Sequence, residues 1–374
     1  MAKADISLGA SSSIPDIATE PAHSGTADDP SGLPYPPSWV DRLVEWVRRL
    51  PLPAWAFYLL AGSILTVLIV SVAWADGFLG PGNFLLLRVL SATTGVYVLA
   101  LLHYLDDSAA SALRRFRPAL KVDEAAYDRL YYRFTTMPPR PALIAGAIGA
   151  LYAIITLTTF GRTDPSALGG NVSPVQVVVV VVTFLISYPL VGVAMYHTVH
   201  QLRLVNEIYT HHTRINLFQP GPLYTLSRLA ARTAIGLSIP TYLWSQANSE
   251  SSPGEIGIGL YETGFYAALI ALTFIWPLLG AHGLLEREKE RLKDEVAKRI
   301  EATIGDLHSR VDAGEMHDRD ALKDTLDGLV AEQGVIDKLR TWPWQTQTIS
   351  GVGAAFLLPI FIWLIQRVLE RLGV

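Results

Sequence analysis

The chain has 374 residues, of which 50% are apolar, 17% are charged and none is cysteine, and its formal net charge is −4. Soluble domains average about 25% charged residues, so this composition disfavours a soluble enzyme. The balance of 30 basic against 34 acidic residues lacks the basic excess that a nucleic-acid-binding surface needs. The absence of cysteine excludes disulfides, thiolate metal sites and cysteine nucleophiles.

The N-terminal region divides into two parts. Residues 1–37 are rich in Ser, Pro, Ala and Asp and lack the apolar stretch of a signal peptide, which predicts a disordered tail. In residues 38–52, apolar side chains recur every three or four positions, with Trp and Arg at the edges of the apolar face. This pattern predicts an amphipathic helix that lies in the membrane interface.

Seven later segments are long and apolar enough to cross a hydrocarbon core of roughly 30 Å, which takes about 20 helical residues. They cover residues 53–75, 84–105, 141–160, 175–196, 225–245, 259–280 and 347–368. The fifth is the weakest, because Arg228 and Arg232 fall inside it. The sequence therefore predicts an all-α polytopic membrane protein, with six membrane-spanning helices at 53–280 and a seventh, followed by a short outer tail, at 347–374.

The distribution of Lys and Arg predicts the orientation of these helices. The N-terminal region and the connections at 106–140, 197–224 and 281–346 together hold 24 basic residues, whereas the other connections and the C-terminal tail hold three. We therefore expect a multi-pass protein of the cell membrane, with its N-terminus in the cytoplasm and its C-terminus outside.

The fourth span runs on without a helix breaker and is expected to project into the cytoplasm. One face of this extension carries His197, His200, Glu207, His211 and Arg214. Three interpretations stay open: a transition-metal site that includes Glu207 and His211, proton sensing by the histidines, and an ordinary solvated helix face.

Residues 281–346 predict a cytoplasmic helical hairpin. Two apolar stripes at helical spacing lie on either side of Gly314, and acidic residues precede basic ones at i, i+4. A solvated spacer would share the charge pattern, but two opposed apolar stripes need partners. We expect the hairpin to take part in assembly.

Three arginines lie within predicted spans, where an ionised side chain is costly and normally finds a partner or water. Arg88 is near the outer end of the second span. Arg228 is near the inner end of the fifth, within reach of Asp106 or Asp107. Arg232 lies deeper, with no obvious acid nearby; it either lines an aqueous path or a binding cavity, or reaches back to the cytoplasmic interface.

The seventh helix carries a stripe that is suited to lining a pore. Its members, which lie within about 40° of one direction at 100° per residue, are Thr348, Val352, Ala355, Pro359, Ile362 and Gln366. Ile362 would form a hydrophobic constriction and Gln366 a polar ring beyond it. Ordinary helix packing with one interfacial amide is the alternative.

The end of the same helix also supports a family resemblance. Pro359 and Ile360 precede five apolar residues, 361–365, which are followed by Gln366 and Arg367. Together with the seven spans, the predicted orientation and the long cytoplasmic helices, this resembles the insect odorant and gustatory receptor superfamily of seven-transmembrane ion channels. In that family the last span carries Thr-Tyr, five apolar residues and Gln-Phe, so the apolar residues and Gln366 match and the flanking residues do not.

The resemblance implies a homotetrameric, ligand-gated, cation-conducting channel, with its pore lined by the last span and its subunits joined through the preceding cytoplasmic helices. An oligomeric ion channel is therefore the leading hypothesis. A membrane-anchored sensor or scaffold acting through its cytoplasmic helices, and a transporter that holds an anionic solute at Arg232, are the alternatives.

No enzymatic function, cofactor or metal is expected, because the chain has no phosphate-binding loop, paired-His helix or nucleophile elbow. The expected partners are the lipid bilayer, further copies of the chain and a small-molecule ligand, and not nucleic acid.

Overall fold

The structure is a computed structural model that describes residues 33–77, 80, 86–163, 174–213, 217–218, 221–251, 256–314, 319–343 and 350–354. No β-strand occurs in this part of the chain, where Leu120 and Thr213 form an isolated antiparallel bridge. The all-helical prediction is therefore confirmed. Most of the predicted tail at 1–37 and of the seventh span lies outside the described residues.

The described helices are α1 (Trp39–Arg48), α2 (Ala54–Ala75), α3 (Leu86–Phe116), α4 (Glu124–Thr135), α5 (Pro139–Thr163), α6 (Pro174–His211), α7 (Leu223–Ser251), α8 (Ile256–Asp312) and α9 (Arg319–Asp337). A short 3₁₀ helix, Arg117–Ala119, follows α3.

The amphipathic segment forms α1. Ser38 caps this helix by accepting a hydrogen bond from the backbone N–H of Asp41, whose carboxylate accepts one from the backbone N–H of Ser38 in return. Val40 and Val44 are buried in a cluster with α3, α5 and α6 side chains, whereas Trp39 and Trp46 stay exposed. The valine face is thus covered by protein, and the interfacial position of the helix stays a prediction.

Three helical stretches are long and apolar enough to cross a membrane: α2, residues Glu124–Thr159, which include most of α5, and α6. Only 17 to 22% of the residues in their most apolar windows are buried inside the protein. The exposed side chains include Leu59, Val67, Ile148, Ile155, Val178 and Ile186. An apolar surface of this extent suits contact with lipid rather than with water. The predicted spans at 225–245 and 259–280 lie inside α7 and α8, so these segments are helical as well.

Helices α5 and α6 approach until their backbones are in contact. A Cβ atom added at Gly149 would lie 2.2 Å from the carbonyl oxygen of Tyr188, and one added at Gly192 would lie 2.3 Å from that of Ala145. Small residues allow this approach, which is how helices associate in a bilayer, where apolar burial between helices adds little.

Beyond the apolar stretches, the ends of α3 and α6 and parts of α4, α7 and α8 form a second buried region, which we call the extension core. Representative side chains are Leu113, Phe134, Ile208, Leu226 and Leu285, each at most 4% exposed. The helical extensions of α3 and α6 therefore pack against one another as a water-soluble core does.

Helix α8 is one helix of 57 residues that joins the predicted sixth span to the hairpin. Gly314, with φ at +74°, lies in the turn after it, and α9 packs back along α8. Val296 and Ile336 are buried. The Nζ atom of Lys293 lies 2.9 Å from Oδ1 of Asp337, and this hydrogen bond holds the pKa of Asp337 below its ordinary value.

Candidate functional site

One turn of α3, residues 103–108 with the sequence His-Tyr-Leu-Asp-Asp-Ser, collects polar partners from four other helices; we call it the α3 polar turn. At 100° per residue, positions 103 and 107 face one way, 106 faces another, and 104 and 108 a third. The partners are Arg48 of α1, Tyr58 of α2, His197 of α6 and Arg232 of α7. Since helical geometry separates the faces, one short segment can bind helices on several sides.

The first face joins α3 to α1 and α2. Nε of Arg48 donates to Nε2 of His103 at 3.2 Å, and its Nη2 donates to Oδ1 of Asp107 at 2.6 Å. Because a guanidinium only donates, Nε2 of His103 must be an acceptor, which assigns the ring hydrogen to Nδ1. Nδ1 then donates to the hydroxyl of Tyr58 at 3.0 Å. In this arrangement His103 is neutral and its ring is held from both sides.

The second face joins α3 to α6 through a buried pair. Nε2 of His197 lies 2.9 Å from Oδ1 of Asp106, and the two residues are 3% and 5% exposed. Within the described residues, Nδ1 of His197 and Nε2 of Gln201, one helical turn further on, are buried without a hydrogen-bond partner. Buried polar atoms in folded proteins normally have a partner, often a water molecule, so these two atoms mark a place for one.

Asp106 also borders a cavity of about 380 Å³ between α1, the middle of α3 and the end of α4. The charged residues that line this cavity are Asp41, Arg42, Glu45, Arg48, Arg49 and Asp106. Three acids and three bases therefore border a space large enough to hold water. Burial raises the pKa of Asp41, although the backbone N–H groups of Ser38 and Met137 donate to its carboxylate.

The third face lies against α7. Nη1 of Arg232 donates to the hydroxyl of Ser108 at 3.4 Å, and its guanidinium carbon lies 5.9 Å from the centre of the Tyr104 ring. The Arg232 side chain is exposed and forms no ion pair with an acid among the described residues.

Within the described residues, no ion pair joins Arg228 to Asp106 or Asp107, the two acids in whose reach it was predicted to lie. Nε of Arg228 donates to the carbonyl oxygen of Tyr224, one turn earlier on its own helix. The side chain of Arg88 lies outside the described residues.

The polar face of α6 connects it to α4 instead of facing only solvent. Both Nη atoms of Arg133 donate to the carboxylate of Glu207 at 2.9 Å, and Nε2 of His200 lies 3.2 Å from the carbonyl oxygen of Arg133. Over the described ranges, no group of three or more His, Asp and Glu side chains is arranged to hold a metal ion. Arg214 lies outside them.

Of the six residues of the predicted pore stripe, Val352 is described. It is 5% exposed and belongs to a buried cluster with Ala230 and Ala234 of α7 and Leu278 of α8. Its side chain thus faces helices of its own chain. The other five lie outside the described residues: Thr348, Ala355, Pro359, Ile362 and Gln366.

From the sequence, Asp106 and Asp107 are candidates only as partners of Arg228, and His103, Tyr58 and Arg48 have no predicted role at a site. The available signal was the group of polar residues at 103–108 directly after the apolar run that ends at Leu102. Its partners could not be read, because helical periodicity does not say which helix lies alongside. Comparison of the chain with models of protein families, with curated proteins and with solved structures finds no match.

Proposed function

We propose that the chain is a multi-pass protein of the cell membrane that acts as an oligomeric ion channel. The observation that carries the proposal is the α3 polar turn, which gathers Arg48, His103, Asp106, Asp107 and His197 where apolar helices converge. This place is the cytoplasmic end of the predicted spans, where an ion path through the apolar helices would open, and clustered ionisable side chains at such a place mark ion paths in many membrane proteins.

The apolar surface supports placement in a bilayer. Three helical stretches are long enough to span it, and most residues of their most apolar windows are not buried inside the protein. The remaining four spans of the proposed seven are inferred from the sequence pattern. In the proposed orientation, the extension core and the hairpin are cytoplasmic, because 24 of the basic residues fall on that side.

The hairpin supports assembly from several copies of the chain. Its distal part leaves apolar side chains uncovered, among them Ile304, Val311 and Val330. A second copy would cover such residues. Since α8 is continuous from the apolar segment to the hairpin, a movement at the hairpin would be transmitted to the membrane by a rigid helix of about 85 Å.

Other parts of the proposal rest on the family resemblance: a tetramer, gating by a small-molecule ligand, and a pore lined by the last helix. Because Val352 faces α7 and α8 of its own chain, a pore along this helix would be lined from a different face at that level.

The test is ion flux through the purified full chain in liposomes. We expect flux of at least one ion among H⁺, K⁺, Na⁺ and Cl⁻, and a large reduction in Asp106→Asn, which removes the buried charge beside the cavity. Asp312→Asn, the same change at an exposed position at the end of α8, is the matched control and should conduct like the parent. Absence of flux of every ion, with the protein folded and inserted, would refute the proposal.

A transporter of an anionic solute is the second candidate, because Arg232 is exposed and its recorded partners are a hydroxyl and an aromatic ring. Arg232→Gln should then abolish anion uptake, whereas a channel operating at Asp106 would keep its conductance.

A further inference from the structure

We infer that the ion moved at the α3 polar turn is the proton, and that Asp106 and His197 relay it. The inference rests on the proposed ion-conducting function and names the substrate of that site. It is carried by the geometry of one imidazole ring: one nitrogen is hydrogen-bonded to a buried carboxylate, and the other is buried with no hydrogen-bond partner in the described part of the chain.

A histidine that relays protons needs a hydrogen-bond partner on each ring nitrogen. On one side, Nε2 of His197 has Asp106 at 2.9 Å, and Asp106 borders the cavity of about 380 Å³, which gives water access to that carboxylate. On the other side, Nδ1 of His197 and Nε2 of Gln201 are both unpaired within the described residues. A water molecule bound there would accept from the amide and donate to the ring, and so supply the missing partner.

The transfer balances without any further reactant. With the hydrogen on Nε2, where it donates to the Asp106 carboxylate, Nδ1 holds a free electron pair. A proton arriving from water at Nδ1 makes the ring an imidazolium. The bond between Nε2 and its hydrogen then breaks, a bond from that hydrogen to Oδ1 of Asp106 forms, and the ring is neutral again. Asp106 releases the proton to cavity water, so one proton has crossed the pair. The ring then carries its hydrogen on Nδ1, and it must rotate to bring an N–H back to Asp106 before the next proton can cross.

The two arginines near Asp106 and His197 are hydrogen-bonded to other residues. The charged and titratable groups near this pair are Asp41, Glu45 and Arg48 of α1, Tyr58 of α2, His103 and Asp107 of α3, His200 of α6 and Arg232 of α7. Arg48 is bonded to Asp107 and His103, and Arg232 to Ser108, so Asp106 keeps His197 as its recorded partner. Asp41 borders the same cavity.

The proton fits the site better than a metal cation held by side chains does. A metal cation needs several oxygen ligands around one point, and no such group of acidic or histidine side chains occurs in the described part of the chain. A proton needs only a hydrogen-bonded chain. The described bundle offers the buried pair of Asp106 on α3 and His197 on α6 as part of such a chain.

The test uses the full-length protein in liposomes of phosphatidylcholine and phosphatidylglycerol with a trapped pH-sensitive dye. A potassium diffusion potential set with valinomycin drives protons inwards. We expect the parent protein to acidify the lumen and His197→Gln, whose amide still donates to Asp106 but cannot relay a proton, to slow this by at least about tenfold. His211→Gln, a change at an exposed histidine of the same helix, should leave the rate unchanged.

The outcomes separate the two proposals. Unchanged proton flux in His197→Gln would overturn the relay while the channel stands, and so would a parent protein that passes K⁺ or Cl⁻ but no protons. A parent that passes no ion would overturn the channel and the relay together. If His197→Gln does not fold, the parent protein is tested alone in a planar bilayer with equal salt on both sides and a pH gradient. The reversal potential must then change with the proton gradient. A reversal potential that does not change with the proton gradient refutes the inference.

Discussion

The contact between α5 and α6 offers the sharpest test of the packing, through the substitution Gly149→Ala. The new Cβ would lie 2.2 Å from the Tyr188 carbonyl oxygen and 3.0 Å from Cα of Pro189. Ordinary contact begins at 3.4 Å, so the methyl group is about 1.2 Å too close to the oxygen. Both neighbours are backbone atoms, which no rotamer change can move. The two helices must therefore separate or tilt to admit one methyl group.

The expected cost follows from two opposing effects. Overpacking of this kind costs about 1–3 kcal/mol, while replacing glycine by alanine inside a helix gains up to about 1 kcal/mol from lower backbone entropy in the unfolded chain. Gly146→Ala is the matched control one turn earlier on α5, because a Cβ there would meet Trp39 at an ordinary 3.5 Å. We expect Gly149→Ala to be less stable than Gly146→Ala by about 2 kcal/mol.

The assay is thermal unfolding of the purified proteins in the same detergent, followed by circular dichroism at one heating rate, because membrane proteins often unfold irreversibly. A difference of about 2 kcal/mol corresponds to roughly 5 °C in the midpoint. Gly192→Ala, on the opposite side of the contact, should behave like Gly149→Ala. Equal midpoints for the variants at Gly146 and Gly149 would refute the close approach of the two backbones.

Two further predictions concern charged groups outside the apolar stretches. Glu207→Gln removes a carboxylate that Arg133 binds with both Nη atoms on a part-exposed surface. We expect the free energy of unfolding to fall by no more than about 1 kcal/mol. An equal fall in low and high salt would contradict an ionic contribution. Burial holds the pKa of Asp41 above its ordinary 3.8, so the folded chain binds this proton more readily than the unfolded chain. The free energy of unfolding must then fall as the pH rises from 3.8 through the raised pKa of Asp41. Asp41→Asn keeps an acceptor for the backbone N–H of Met137. Its unfolding midpoint should match that of the parent in acid and exceed it near neutral pH. A difference between variant and parent that stays constant with pH would contradict a raised pKa of Asp41.

Helical periodicity predicted where the helices are, because it depends only on local spacing. It did not predict that α8 would run unbroken from Ile256 to Asp312. The predicted boundary at residue 280 followed a change from apolar to charged composition, and a helix backbone continues through such a change when no breaker intervenes. The extension of the fourth span was predicted for the same reason, since its sequence lacks a breaker up to His211.

The partners of the α3 polar turn could not be predicted from the sequence, for a different reason. His197 and Asp106 are 91 residues apart and Arg232 and Ser108 are 124 apart, so their pairing depends on which helices are neighbours. Charge alone suggested Arg228 as a partner of the two aspartates. In the structure, Nε of Arg228 donates within its own helix instead, to the carbonyl oxygen of Tyr224.

The position of the α3 polar turn follows from the two surroundings that α3 crosses. Before it, Val98, Leu99 and Leu102 pack with apolar side chains of α1, α5 and α6, beside the surface proposed to face lipid. After it, Ala109 to Phe116 belong to the extension core, which packs as a soluble protein does. The cavity of about 380 Å³ lies beside this boundary, and Asp106 is among the residues that line it. The buried pair of Asp106 and His197 therefore lies between a place that water can enter and the inner part of the bundle. An ion path through this protein would have to begin at such a place, which is why the proposed relay is assigned to Asp106 and His197 and not to the more exposed charges of the hairpin.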